Sequence, residues 1–176
     1  MALTPAYAWS VLHAHRGGSG WGAVAVFTAV ALSDFVDGRL ARRFGAATAA
    51  GRTLDHAADI GFILASLALY VWLGDVPWWV PASIAVAFVA YVADSLRRSA
   101  PRPVLIGSRI GHVGGICNYV LVGIVTVNDT LGVGWLSASV MRALFVLVPL
   151  YSAASIVARG IYFTGPSASV SRRLLP

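Results

Sequence analysis

Glutamate and lysine are both missing from this chain: its seven acidic residues are all Asp and its thirteen basic residues are all Arg. Charged residues make up 11% of the sequence, well below the roughly 25% of an ordinary soluble domain. That scarcity excludes a soluble globular surface, and no basic face of the kind that would hold a nucleic acid is visible. Cysteine occurs once, at Cys117 within an apolar run, so a disulfide framework is excluded and a packing role is expected. A charged start followed by an apolar run and a cleavage site, the mark of a signal peptide, is not seen at the N-terminus. Long apolar stretches are present instead. The hydrophobic fraction is 58% and the mean hydropathy is +0.76, values of a protein embedded in lipid.

The apolar stretches fall near residues 3–14, 21–40, 52–73, 78–96, 106–127 and 139–158. They predict an all-α integral membrane protein, a six-helix transmembrane bundle occupying residues 1–176 as a single domain. Breaks at His15 to Gly18, Gly74 to Pro77, Arg97 to Pro103 and Asn128 to Gly134 separate the helices, and Pro149 is expected to kink the sixth. The first stretch is too short to cross a hydrocarbon core of about 30 Å, so a short or truncated first helix is expected, with the chain starting inside what was once a longer one. With the N-terminus on the cytoplasmic side, eleven arginines fall on inner segments and only Arg16 and Arg142 on outer ones. This bias orients the bundle. It places residues 34–59 at the cytoplasmic boundary, and Trp72, Trp78, Trp79 and Trp135 in an outer interfacial belt.

Four of the seven acids, Asp34, Asp37, Asp55 and Asp59, crowd into twenty-six residues. An ionisable side chain in an apolar setting is costly and points to function. At about 100° per residue, Asp34, Asp37, Gly38 and Ala41 share one helix face, as do Asp55 and Asp59 on the next helix. The connector from Arg43 to Ala50 lets the two faces meet. Carboxylates gathered in this way repel one another, and hard divalent cations relieve the repulsion. An all-oxygen set suits Mg²⁺ or Mn²⁺ rather than Zn²⁺. Gly38 and Gly51 leave room for a ligand near the backbone, and Arg42 offers a permanent cation to a phosphate. Two metals beside an arginine form a phosphoryl-transfer arrangement.

The pattern Asp34-x-x-Asp37-Gly38-x-x-Ala41-Arg42, eight residues, Gly51-x-x-x-Asp55-x-x-x-Asp59 resembles the signature of the CDP-alcohol phosphatidyltransferases, matching all eight fixed positions. The resemblance implies transfer of a phosphatidyl group from CDP-diacylglycerol to an alcohol, with release of CMP. By the same resemblance Asp34, Asp37, Asp55 and Asp59 would hold two ions, either Mg²⁺ or Mn²⁺. Asp59 would also act as the general base, and Gly38, Ala41, Arg42 and Gly51 would receive the CDP moiety. It further implies an enzyme of the bacterial inner membrane with its active site on the cytoplasmic side, and a homodimer as a common arrangement.

The acceptor is expected to be sn-glycerol 3-phosphate. Arg97, Arg98, Arg109 and Arg159 lie on the inner side, where Asp94 is the only acid outside the motif, and Arg109 is the foremost candidate to bind the acceptor phosphate. His56 and Ile60 stand where phosphatidylglycerophosphate synthases commonly have Pro and Lys, so inositol, inositol phosphate, serine and phosphatidylglycerol stay open as acceptors. A cation-conducting or transporter bundle is the more distant alternative. It fits less well, because a conduction path would spread carboxylates over several helices near mid-membrane. His56 is expected to pack, and His13 and His15 to be solvated at the outer end.

Overall fold

The computed structural model describes residues 3–43, 49–98 and 109–164, and in these it is entirely helical. Six helices follow one another: α1 Thr4–His15, α2 Trp21–Arg43, α3 Ala49–Leu73, α4 Trp79–Arg98, α5 Arg109–Thr130 and α6 Ala138–Thr164. Each coincides with one of the apolar stretches to within three residues, except that α6 runs six residues past the end expected for it. Among the described residues α3, α4, α5 and α6 contain segments long and apolar enough to cross a membrane. The first helix has 12 residues, about 18 Å at 1.5 Å per residue, as short as its sequence led one to expect. Pro149 lies inside α6, which continues past it.

Local sequence accounts for the helix ends. Pro5 occupies the first turn of α1 and Pro81 that of α4, where a missing N–H leaves no intrahelical bond unmade. Ser137 precedes α6 and its Oγ accepts the Val140 N–H, as a helix N-cap does. Helices α1 and α3 end in the same way. Gly17 and Gly74 have φ of +89° and +92°, a left-handed conformation that a side chain would oppose. Two reversed hydrogen bonds close each end: Gly17 N–H to Ala14 O and Gly18 N–H to His13 O, then Gly74 N–H to Val71 O and Asp75 N–H to Tyr70 O. These closures set the backbone at His15 and Asp75.

In the bundle, α3 packs on α1, α4 and α5, α2 lies between α1 and α5, and α6 runs along α4 and α5. The buried core is drawn mainly from α3 (Phe62, Ile63, Leu67, Tyr70) and α5 (Leu121, Val122, Val125), with Tyr7 and Val11 from α1. Apolar side chains such as Val86 and Val89 on α4, and Val146, Leu147 and Leu150 on α6, point away from the bundle. A soluble monomer rarely exposes so continuous an apolar face, whereas lipid covers it without penalty. Between helices lipid supplies no hydrophobic drive, so tight contacts and polar links hold the helices together. Gly114 lets the Tyr151 ring of α6 lie directly on α5. The Tyr7 hydroxyl hydrogen-bonds Thr126 Oγ1 and donates to the Tyr70 hydroxyl, joining α1, α3 and α5.

Candidate functional site

Asp34 projects from the second half of α2, and Asp55 and Asp59 from the first half of α3, one helical turn apart. The contact of α2 and α3 with α5 and α1 brings the three side chains together. One carboxylate oxygen of each lies within 4.8 Å of those of the other two. Asp55 is exposed, while Asp34 and Asp59 are half-buried. Three carboxylates at this spacing repel one another unless positive charge stands between them. The donor set is all oxygen, which fits Mg²⁺ or Mn²⁺ and lacks the imidazole or thiolate that Zn²⁺ favours.

Asp37 is exposed, one turn beyond Asp34, and its carboxylate stands outside this group of three. Gly51 opens α3 one turn before Asp55 and is exposed, in line with Asp55 and Asp59 on that helix. Gly38, Ala41 and Arg42 belong to the final turns of α2, and Arg109 heads α5. Their surroundings lie outside the described residues, as does the connector 44–48. His56 turns away from the carboxylates and packs against Phe88 and Tyr91 of α4, at ring separations of 5.7 and 5.4 Å. That is the packing role its position off the aspartate face predicts.

Tyr119 escaped the reading of the sequence. From the middle of α5 its hydroxyl donates to Asp59 Oδ1 at 3.3 Å. Its ring stacks on Phe62 (6.0 Å between centroids, 21° between planes) and leans on Phe27. Phe62 lies three residues after Asp59, so one wall of aromatic rings orients both the phenol and the carboxylate. Nothing in the run Cys117-Asn118-Tyr119 distinguishes this tyrosine from an interfacial one; only the packing of α5 on α3 shows what it reaches. The arrangement can hold a hard cation with three carboxylates while keeping Asp59 in one orientation by a hydrogen bond from a third helix.

Comparison with known proteins agrees with this chemistry. The profile of the CDP-alcohol phosphatidyltransferase family matches residues 1–154. Among curated relatives, the chain is 38% identical over 82 residues to a cardiolipin synthase (CMP-forming) of Streptomyces coelicolor, covering 45% of this chain and 38% of the relative. A putative cardiolipin synthase of Mycobacterium tuberculosis is 39% identical over 80 residues, covering 45% of this chain and 36% of the relative. A probable phosphatidylglycerophosphate synthase of the same species is 42% identical over 60 residues, covering 34% and 29%. The aligned part thus spans under two fifths of the length of these relatives.

Proposed function

This chain belongs to the CDP-alcohol phosphatidyltransferase family, and we propose that it transfers the phosphatidyl group of CDP-diacylglycerol to a small alcohol, releasing CMP. The observation that supports this reading most is the meeting of Asp34, Asp55 and Asp59 from two helices of an apolar bundle, with Asp59 held by Tyr119. Asp34, Asp55 and Asp59, joined by Asp37, would hold two Mg²⁺ or Mn²⁺ ions. When bound, these ions would neutralise the charge of the diphosphate. In the proposed reaction the acceptor hydroxyl oxygen forms a bond to the phosphatidyl phosphorus. The bond from that phosphorus to the CMP phosphate breaks, and the hydroxyl proton passes to the Asp59 carboxylate. Arg42 would pair with a phosphate of the nucleotide, and Gly38, Ala41 and Gly51 leave space for the CDP moiety on the same faces. The arginine bias of the inner segments supports a cytoplasmic active site.

For the acceptor we favour sn-glycerol 3-phosphate, because the inner segments hold Arg97, Arg98, Arg109 and Arg159 against the single acid Asp94. The cardiolipin synthase relatives favour a second reading. Cardiolipin carries two phosphatidyl groups on one glycerol, so its formation with release of CMP calls for phosphatidylglycerol as acceptor. Both candidates present a glycerol hydroxyl with a phosphate at the far end of the glycerol, and both suit a cationic pocket.

The test is CMP release from CDP-diacylglycerol by the purified protein, with glycerol 3-phosphate, phosphatidylglycerol, inositol, inositol phosphate and serine offered in parallel. Release should require Mg²⁺ or Mn²⁺, stop with chelator, and be fastest with glycerol 3-phosphate. A preference for phosphatidylglycerol would establish the second reading, and a preference for inositol or serine would overturn the anionic acceptor. Silence with every acceptor would overturn the transferase itself. Replacing Arg109 with Ala should raise the KM for glycerol 3-phosphate far more than that for CDP-diacylglycerol.

A further inference from the structure

A second polar cluster sits at the opposite end of the bundle. The Nε2 of His15, the last residue of α1, is 3.3 Å from Asp75 Oδ2 and 3.3 Å from Asp129 Oδ2. All three donor atoms lie within 4.8 Å of one another. They come from the ends of three helices, with Asp75 in the closing turn of α3 and Asp129 in the last turn of α5. Along α3 they stand roughly 20 Å from Asp59, and none belongs to the aspartate motif.

Hydrogen bonding satisfies this cluster only in part: His15 Nε2 pairs with Asp75 Oδ2 and both residues are exposed, but Asp129 Oδ2 is left over. The His15 Nδ1 faces Val11 O at 3.3 Å. If Nδ1 carries the proton there, Nε2 is a bare lone pair aimed at two carboxylates. If Nε2 is protonated as well, its single N–H can align with only one of the two oxygens. Both separations are long for a charge-assisted N–H···O contact, which closes to about 2.7–2.9 Å. The Oδ2 atom of Asp129 is sealed from solvent and accepts no hydrogen bond among the described residues.

A bound cation removes each of these conflicts. Ligand atoms set tetrahedrally about 2.0–2.2 Å from Zn²⁺ stand roughly 3.3–3.5 Å from one another, close to the separation that both carboxylates keep from Nε2. A ligating histidine commonly gives its other ring N–H to a backbone carbonyl, which is the role Val11 O would fill. The C-terminal ends of α1, α3 and α5 converge here, and each carries partial negative charge that favours a cation. Beside the cluster opens a cavity of about 300 Å³ lined by Asp75, Asn128, Asp129, Met141, Arg142 and Phe145, with room for a water as fourth ligand. Arg142 forms no ion pair with either carboxylate among the described residues, so it does not replace the ion.

We propose that His15, Asp75 and Asp129 form a structural transition-metal site, with Zn²⁺ the ion best suited to one imidazole and two carboxylates, which clasps α1 to the ends of α3 and α5. The aspartate site at the other end is all oxygen, so metal preference separates the two. The test uses tag-free full-length protein in detergent, stripped by chelator and held in excess Mg²⁺ to occupy the oxygen site. Titration with Co²⁺ should then give one equivalent with the visible absorption of a four-coordinate ion, and Zn²⁺ should displace it and raise the melting temperature. The variants His15→Gln and Asp75→Asn, checked for an unchanged size-exclusion profile, should each weaken Co²⁺ binding by more than about 10²-fold, beyond what loss of an outer partner costs. Asp55→Asn should bind Co²⁺ as the wild type does. No Co²⁺ equivalent in the wild type would overturn the proposal. So would full binding retained in either cluster variant that elutes as the wild type, or loss of the absorption in Asp55→Asn instead.

Discussion

The two ends of this bundle each gather three ionisable side chains, and they do so by opposite means. The aspartate end uses the faces of two neighbouring helices, with Asp55 and Asp59 four residues apart and Asp34 on the helix before them. The far end uses helix termini: the last residue of α1, the turn that closes α3 and the last turn of α5. Helix faces give a site open on one side, where Asp55 is exposed and a substrate could approach. Helix termini give a site bounded by backbone closures, with His15 and Asp75 exposed and only Asp129 half-buried, which ties the ends of three helices together. The donor chemistry follows the same division, all oxygen at one end and mixed nitrogen and oxygen at the other.

Substitutions can break this division, and the largest effect is expected at the aspartate end. Asp59→Asn keeps an oxygen ligand but cannot take a proton, so CMP release should fall by about 10²–10⁴-fold with the helix content unchanged. Near wild-type turnover at neutral pH would remove Asp59 as the base. Tyr119→Phe deletes only the hydroxyl that orients Asp59 and keeps the ring against Phe62. Activity or Mg²⁺ affinity should drop by about 10-fold, the lower end of what loss of an outer partner costs, with thermal stability little changed.

At the far end the expected effects are on stability. Gly74→Ala places a side chain at φ +92° and should cost about 1–2 kcal/mol, read as a lower melting temperature in detergent. The Mg²⁺ dependence of CMP release should be unaffected, and a shift in it would mean that the two ends are coupled. Tyr7→Phe removes the hydroxyl joining α1 to Thr126 and Tyr70, and the loss should be smallest, about 0.6 kcal/mol. A much larger loss would mean that this network carries α1.

How much of each end was legible in the sequence follows from its construction. Asp34, Asp55 and Asp59 could be placed on shared faces because helical periodicity is local, and α2 and α3 are consecutive. His56 could be assigned to packing for the same reason, and it does pack against Phe88 and Tyr91. Tyr119 and His15 could not be read in this way. Tyr119 reaches Asp59 from a helix two elements further on, and no spacing rule links the two. His15 is exposed, as expected, but it also lies between two carboxylates contributed by distant segments, which the sequence did not show. Asp75 and Asp129 looked like loop punctuation because Gly74-Asp75 and Asn128-Asp129 sit at chain breaks.

The composition and the apolar stretches were enough by themselves to determine a helical membrane bundle and its six elements, with most ends within three residues, because helix length, proline and glycine act within a few residues of where they stand. The aspartate spacing likewise determined which carboxylates share a helix face and which family the chain resembles. Only the tertiary structure decided which three of the four aspartates approach within 4.8 Å, that Tyr119 braces Asp59, and that His15, Asp75 and Asp129 meet at all. Those outcomes depend on the order and rotation in which helices pack. In lipid, close contacts and polar links between distant segments set that packing, and a linear sequence does not display them.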